Sequence, residues 1–169
     1  MKEIFTRRSV RDYDLSRHLS YDELYDIIRA GMAAPSARNQ QAWEFLIIDD
    51  LDIINELSNN IVKSTMKLNR ANTYIMVLGR TDAPNPGMLA CDLGACQMNM
   101  ITYARSKGLG SCWIGVYGNS ERVEIVKRVL NVPDYLIPYS LLAIGYPNDL
   151  SCFKENDRFD KSKIRINRF

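Results

Sequence analysis

The stretch from Met88 to Lys107 restricts the fold of this chain more than any other segment. It contains no proline, and Gly108 follows it, which is typical of the end of a helix. Apolar side chains occupy almost every face of this predicted helix: Met88, Leu89, Ala90, Cys91, Leu93, Ala95, Cys96, Met98, Met100 and Ile101. A helix that is apolar all round must be covered on all sides.

With 169 residues the chain is predicted to form one domain, residues 1–169, which has little material to enclose a central helix. We therefore expect a second copy of the chain to supply part of the cover. The alternative is a central helix that is wrapped entirely by the chain's own sheet and neighbouring helices.

Sequence patterns elsewhere predict alternating helices and strands. Ser20 and Glu23 form a capping box, and the helix that they begin should end near Ala34, because Pro35 disfavours helical geometry in the residue before it. Further strands are predicted at 43–48, 73–79, 111–116 and 139–145, one or two helices at 52–67, and another helix at 120–130. This order, with several possible antiparallel pairings, indicates an α+β sandwich of a sheet and helices.

Composition argues against several classes of function. Lysine and arginine number 22 and aspartate and glutamate 20, a net charge of +2, which is too small for an extended nucleic-acid-binding surface. No segment approaches the roughly 20 apolar residues of a membrane span, and no signal-peptide core is visible, so we expect a cytoplasmic protein with reduced cysteines. One histidine, His18, and four cysteines without a CxxC pair argue against a metal site.

Basic residues concentrate at both ends of this nearly neutral chain. Arg7, Arg8 and Arg11 surround Ser9 near the N-terminus, and the tail 154–169 carries six basic and three acidic residues. Arginine guanidinium groups and a serine hydroxyl can donate hydrogen bonds to a phosphate. A small anionic ligand that binds both ends would explain why basic residues concentrate there. The alternative is that both ends are solvated surface without a ligand.

Two further segments have the composition of ligand-contacting loops. Residues 34–43 join a helix to a strand and mix small residues with amide side chains, which suits the rim of a planar ligand. An ordinary connecting loop has the same composition. Residues 108–116 place three glycines around a predicted strand, which indicates close approach of another group to the backbone. Neither segment contains a Rossmann or Walker motif.

In this order the three segments resemble the nitroreductase family of FMN enzymes. The resemblance rests on Arg-Arg-Ser-x-Arg at 7–11, Pro-Ser-Ala-x-Asn-x-Gln-x-Trp at 35–43, Asp-Leu-Gly-Ala at 92–95, Gly-Leu-Gly-Ser-Cys-Trp-Ile-Gly at 108–115 and Asp-Arg-Phe-Asp at 157–160. It implies an α+β, nitroreductase-like fold with a mostly antiparallel central sheet flanked by helices. It also implies an interlocked homodimer with FMN between the subunits.

The resemblance assigns the cationic residues to the flavin. Arg7 and Ser9 match positions that hold the flavin phosphate, and Arg158 matches a second clamp from the tail. Arg8 belongs to the same N-terminal motif. Arg11 matches a position near N1 and O2 of the ring, where Lys67 is a candidate second cation. A fixed cation there would stabilise the negative charge that two-electron reduction produces.

The other motifs are implied to contact the ring. Pro35, Ser36 and Ala37 would reach it from the other subunit, with Asn39 supporting their loop. Trp113, Ile114 and Gly115 would lie beside it, with a backbone amide of 114–116 facing N5. No residue is expected to act as a general acid or base, because the flavin performs the chemistry.

The predicted function is an FMN-dependent oxidoreductase that passes two electrons from NAD(P)H through flavin N5 to a nitroaromatic, a quinone or a similar small acceptor. The nicotinamide and the acceptor would bind in turn, in a ping-pong cycle. One alternative is an FMN-binding carrier or redox sensor without nicotinamide turnover. Another is reductive dehalogenation or flavin fragmentation, although relatives with those activities carry lid segments that are missing here.

Three departures from the family pattern bear on FMN affinity. Ala42 replaces a proline, Val116 replaces a glycine, and Asn156 replaces a lysine near the tail arginine. The short segment between Lys67 and Met88 also predicts an open site, which should select poorly between substrates.

Overall fold

The computed structural model describes residues 2–61 and 68–169, and Lys67 lies outside these described residues. Its helices and strands, in chain order, are α1 (Lys2–Thr6), α2 (Tyr21–Met32), β1 (Trp43–Ile48), α3 (Leu51–Asn60), β2 (Tyr74–Arg80), α4 (Leu89–Ser106), β3 (Gly110–Gly115), α5 (Ser120–Val129) and β4 (Leu136–Gly145). The sequence patterns predicted each of these elements except α1.

The four strands form one sheet in the order β1-β2-β4-β3, and every neighbouring pair is antiparallel. Helices α2 and α4 cover one face of the sheet through apolar residues such as Leu24, Leu93 and Met100, which are almost completely buried. Helices α3 and α5 cover the other face through Leu57 and Val126. The predicted α+β architecture is therefore confirmed, and β3 lies at an edge of the sheet.

Local signals set several boundaries as predicted. The hydroxyl of Ser20 accepts a hydrogen bond from the Glu23 amide, and the Glu23 carboxylate accepts one from the Ser20 amide at 2.8 Å, which completes the capping box. Helix α2 ends at Met32, two residues before the predicted end. Helix α4 ends at Ser106, and Gly108 follows it with a φ of +76°, a conformation that glycine adopts readily at the end of a helix. This position agrees with the prediction.

Strand β4 begins at Leu136, three residues before its predicted start, and therefore contains Pro138. Proline cannot donate to a strand ladder and normally interrupts a central strand. Here the register between β2 and β4 shifts, so that Val77 faces Ser140 whereas Leu78 faces Pro138. This β-bulge accommodates the proline and leaves Tyr139 as the extra residue.

Helix α4 is only partly covered by its own chain. Cys96, Met100 and Ala104 are completely buried against the sheet and α2, whereas Cys91 is exposed and Met98 is 39% exposed. The described residues thus do not wrap the helix on all sides. The partner subunit that we expect on the open side remains a prediction.

Candidate functional site

The N-terminal residues 7–11, here called the head segment, dock onto the start of β3. Ser9 forms a parallel bridge with Ser111, and the Val10 amide donates to the Ser111 carbonyl at 2.9 Å. Val10 is buried, and close contact with β3 is possible because Gly110 has no side chain. The head segment therefore runs parallel to β3.

The two ends of the chain meet in one cavity of about 680 Å³. Its lining combines α1 and the head segment with the tail: Ile4, Phe5, Arg7, Arg8, Ser9, Glu155, Asn156, Asp157, Arg158 and Phe159. The volume lies within the usual range of small-molecule sites. The structure thus brings together four residues that the sequence assigned to an anion: Arg7, Arg8, Ser9 and Arg158.

One guanidinium nitrogen of Arg8 lacks a hydrogen-bond partner among the described residues. Its Nη1 donates to the carbonyls of Arg7 at 2.7 Å and Phe5 at 3.1 Å, which ties the side chain to the head segment. Its Nη2 is buried and has no hydrogen-bond partner among the described residues. A buried guanidinium nitrogen is costly to leave unpaired, so this atom is suited to bind an anion in the cavity. Glu155 and Asp157 also line the cavity, so an anion there would have to compete with two carboxylates.

Arg11 lies beside β3 and outside the lining of the cavity. It follows Ser9 by two residues, its Nη1 donates to the Ser9 carbonyl at 3.2 Å, and its side chain is exposed. Burial raises the pKa of the Cys112 thiol, and the nearby Arg11 charge opposes that shift. The Arg11 side chain is therefore tied to Ser9, which is bridged to Ser111 of β3.

The open edge of β3 presents a backbone amide at Gly115. Val116 donates its amide hydrogen toward β4, and the antiparallel register turns the Ile114 amide the same way. The amides of Trp113 and Gly115 therefore face the open edge. Arg122 Nη1 reaches the Gly115 carbonyl from that edge at 3.0 Å, and a β-carbon on Gly115 would meet no atom within 4 Å. Of the three amides at 114–116, only that of Gly115 faces a ligand-accessible edge.

Ile114 contributes no side chain to this edge, since it is buried in the core below the sheet. Trp113 projects on the opposite face and is 36% exposed. Its ring centroid lies 5.8 Å from that of Tyr139, the extra residue of the β-bulge, and Tyr117 lies 6.0 Å from Tyr139. Three aromatic rings therefore stand beside the Gly115 edge.

The loop 35–41 lies away from the head–tail cavity of its own chain. Pro35 and Asn39 are exposed and Ser36 and Ala37 are partly exposed, and none of the four lines that cavity. The loop instead packs against the first turn of α4. Residues expected at one site thus fall into two groups in a single chain: the head, tail and β3 edge, and the separate loop.

The sequence patterns missed the residue that fastens this loop. Asp92 is 5% exposed in a helix that otherwise reads as apolar, and its Oδ1 accepts a hydrogen bond from the Ala37 amide at 3.0 Å. Its Oδ2 accepts one from Gln40 Nε2 at 2.6 Å. An acidic residue inside an apolar helix was the available signal, because such a group is rarely buried without partners.

Other chemistry has little support in the described ranges. No group of three or more histidine, cysteine, aspartate or glutamate side chains there is placed to hold a metal ion. All four cysteines are free, and burial raises the pKa of the Cys96 thiol to about 12, which leaves it unreactive. No helix within residues 2–61 and 68–169 has the length and hydrophobicity to cross a bilayer.

These features define a class of protein: an α+β fold in which both chain ends build a cationic cavity beside an open strand edge that contains glycine. The model of the nitroreductase family matches residues 4–76 and 62–146 of the sequence. The chain belongs to the nitroreductase family, as its motifs predicted.

Individual relatives agree with this assignment. A protein of Archaeoglobus fulgidus whose name assigns it to the NADH dehydrogenase/NAD(P)H nitroreductases is 32% identical over 97% of this chain and 95% of its own length. A crystal structure from Clostridium acetobutylicum, described as an NADH oxidase, has a TM-score of 0.92 at 32% identity and covers 99% of both chains. The nitroreductase-like fold and the oxidoreductase class that the sequence predicted are confirmed.

A more distant structure has the same fold with a ligand. It is a nitroreductase-like protein from Exiguobacterium sibiricum, crystallised in complex with FMN, with a TM-score of 0.83 at 21% identity over 99% of this chain and 96% of that chain.

Proposed function

We propose that this chain binds FMN and passes two electrons from NAD(P)H to a small acceptor such as a nitroaromatic or a quinone. The observation that carries the proposal is the cavity in which Arg7 and Arg158, from opposite ends of the chain, line one space. Like charges repel, so a shared anion gives a physical reason for their proximity. Membership of the nitroreductase family supports FMN as that anion.

The residues present fit a flavin phosphate. Arg7 and Arg158 would supply charged donors, and the Ser9 hydroxyl would supply a neutral one. The unpartnered Nη2 of Arg8 would gain the partner that it lacks among the described residues. Asn156, where many relatives have lysine, lines the same cavity and adds no charge, so phosphate binding depends on the arginines.

The direction of the head segment supports a position for the ring beside β3. Ser111, bridged to Ser9, and Gly115 are four residues apart on an extended strand, a distance of about 13 Å. The ribityl chain of bound FMN would lie along this part of β3, with the phosphate near Ser9 and the ring near Gly115. Bound FMN would supply the centre that accepts and returns hydride, and the Gly115 amide would donate a hydrogen bond at N5. Arg11 follows Ser9 on the head segment, which runs parallel to β3, and would place positive charge near N1 and O2 of the ring, where reduction accumulates negative charge.

We further propose that two copies form a homodimer and complete each other's sites. A mostly apolar groove of about 550 Å³ lies between α1, α2 and α4, and includes Ile4, Ala30 and Met98. A second copy would cover this groove and the open side of α4. It would also bring its loop 35–41 to the flavin, which explains why that loop lies outside the cavity of its own chain.

The β3 edge remains broad and aromatic beside the proposed ring, with Trp113 and Tyr117 exposed. Such a surface can stack either a nicotinamide or a planar acceptor. We propose that the two use it in turn, which is a ping-pong cycle.

The test is an anaerobic absorbance experiment on the purified full-length protein. The protein should carry FMN, NADPH or NADH should bleach its visible bands, and nitrofurazone or a quinone should restore them. Bound FMN that neither nicotinamide reduces would contradict the enzyme proposal and support the carrier or sensor. Protein that binds no FMN at micromolar concentration would contradict both.

A further inference from the structure

The carboxylate of Asp92 is completely engaged by the loop 35–41. Its two oxygens accept one hydrogen bond each, from the Ala37 amide at 3.0 Å and from Gln40 Nε2 at 2.6 Å. Asp92 belongs to the first turn of α4, where the helix dipole favours a negative charge. A buried carboxylate with two charge-assisted bonds is a strong fastening point for a loop.

Gln40 has one orientation in this arrangement. Its Oε1 accepts from the Asn85 amide at 2.9 Å, and its Nε2 donates to the Asn85 carbonyl at 3.2 Å. Rotating the carboxamide would break both of these bonds. Gln40 must therefore present its Nε2 to Asp92, so the acceptor at position 92 cannot be replaced by a donor without loss.

The fastened loop has an unfavourable backbone. Arg38, Asn39 and Gln41 have φ values of 51°, 56° and 46°, in the left-handed region that non-glycine residues seldom adopt. Strained backbone of this kind persists only where surrounding contacts hold it, and it concentrates at functional sites. Within the loop, the Ser36 hydroxyl accepts from the Gln41 amide at 3.0 Å. Among the described residues, hydrogen bonds to Asp92 and Asn85 hold the loop from outside.

We infer that Asp92 is a positioning residue, which holds the loop 35–41 in its strained conformation so that Ser36 and Ala37 can meet the flavin of the other subunit. The fastening is a property of the single chain. Its consequence for FMN rests on the proposed function.

The first measurement does not depend on FMN. Arg38 is exposed, so trypsin can cleave after it once the loop opens. Asp92→Asn places a donor opposite Gln40 Nε2 or the Ala37 amide. In FMN-free full-length protein, trypsin should cleave after Arg38 at least tenfold faster in Asp92→Asn than in the wild type. Mass spectrometry measures the rate of this cleavage. Asp22→Asn is the matched control, because Asp22 is an exposed aspartate in the first turn of α2. It should leave the rate unchanged.

The second measurement is FMN affinity by titration. Asp92→Asn should weaken binding about tenfold, the effect of one lost bond to a charged group. Adding Gln41→Gly should restore affinity to within about threefold of wild type, because glycine adopts positive φ without strain. A merely structural role for Asp92 would not produce this rescue. Gln40→Met removes the same contact from the loop side, in case Asp92→Asn does not fold.

The outcomes distinguish the fastening of the loop by Asp92 from the proposed binding of FMN. Unchanged cleavage after Arg38 in both Asp92→Asn and Gln40→Met overturns the inference. Faster cleavage without any change in FMN affinity also overturns it, because the loop would then not serve the flavin. If the wild type binds no FMN, the proposed function fails, and with it the role toward the flavin, whatever the cleavage experiment shows of the fastening itself.

Discussion

Val10 fills the space in which a side chain on Gly110 would lie, since a β-carbon built on Gly110 stands 2.9 Å from Val10 Cβ. Tyr13 covers Gly145 in a similar way, at 3.2 Å, and its hydroxyl donates to the Val10 carbonyl at 2.7 Å. Gly110 therefore allows the head segment to pack against the sheet, and Gly145 allows the same for Tyr13. The position of the head segment therefore depends on residues of β3 and β4.

This contact predicts a specific loss of stability. Gly110→Ala should lower the free energy of unfolding by about 1–3 kcal/mol, because the branched Val10 side chain cannot turn aside. Val10→Gly removes the contacting Cβ together with both methyl groups, so Gly110→Ala should cost less stability in a Val10→Gly background than in the wild type. Urea denaturation of the four proteins gives the coupling energy. An equal effect of Gly110→Ala with and without the Val10 side chain would show that the contact is unimportant.

Removal of Arg7 and Arg158, which we propose to bind the flavin phosphate, should strongly weaken FMN binding. Each charge-assisted bond contributes about 1.5–3 kcal/mol, so Arg7→Ala combined with Arg158→Ala should weaken FMN binding at least a hundredfold. Flavin fluorescence during titration measures this. Arg29→Ala is the control, because the Arg29 side chain is 79% exposed and pairs only with Asp26 among the described residues. Retained affinity in the double variant would place the phosphate elsewhere.

The Gly115 amide can be tested with two substitutions at one position. Gly115→Ala keeps the donor, and its β-carbon meets no atom within 4 Å. Gly115→Pro removes the donor, and an edge strand tolerates proline where the amide faces outward. Hydride transfer from NAD(P)H should slow about tenfold in Gly115→Pro relative to Gly115→Ala, the effect of one hydrogen bond. Stopped-flow bleaching measures the rate, and equal rates would exclude Gly115 as the N5 donor.

The open side of α4 suggests a substitution that should disrupt the proposed dimer. Met98→Glu would place a charge in the apolar groove, where a partner would have to bury it unpaired. It should shift the protein to monomer in light scattering and weaken FMN binding. Leu51→Glu is the control, because Leu51 is 58% exposed at the start of α3 on the other face of the sheet. Monomeric wild-type protein, or an unaffected dimer in Met98→Glu, would contradict the proposed interface.

Stability should depend on pH through the capping box of α2. Hydrogen bonds from Ser20, first from its amide and also from its hydroxyl, lower the pKa of Glu23 below its usual 4.5. The stabilisation is therefore present above pH 4.5 and is lost as the pH falls through the lower folded-state pKa. Glu23→Gln should remove this acid-dependent loss, which is below about 1 kcal/mol for an accessible cap. Thermal unfolding of the wild type and Glu23→Gln between pH 3 and 6 tests this prediction. If the melting temperatures of the two proteins change with pH in parallel, Glu23 makes no contribution.

Much of the architecture was predictable because its causes are local. The six residues of β1 match the predicted 43–48, since an apolar run of strand length carries its own signal. The capping box of α2 and Gly108 after α4 act within a few residues of the helix ends that they define. The family motifs were predictable for a related reason: each is a contiguous string of residues whose chemistry does not depend on distant parts of the chain.

Contacts between distant segments could not be predicted in this way. Gln40 and Asp92 are 52 residues apart, and although an acidic residue in an apolar helix signals a buried carboxylate, nothing near Asp92 indicates that its partner is the loop 35–41. The start of β4 was misplaced because Pro138 argues against a strand until the β-bulge against β2 is known. The orientation of the Gly115 amide likewise follows from the register with β4.

The sequence by itself determined the type and order of the main elements, the family, and the residue types that can bind an anion. Only the tertiary structure decided that the head and tail line one cavity, that Gly115 faces the open edge of β3, and that one side of α4 lacks cover from its own chain. The physical reason is range. Helix caps, turns and apolar periodicity act over a few neighbouring residues, whereas cavities, sheet edges and buried partners arise from segments that meet only when the chain has folded.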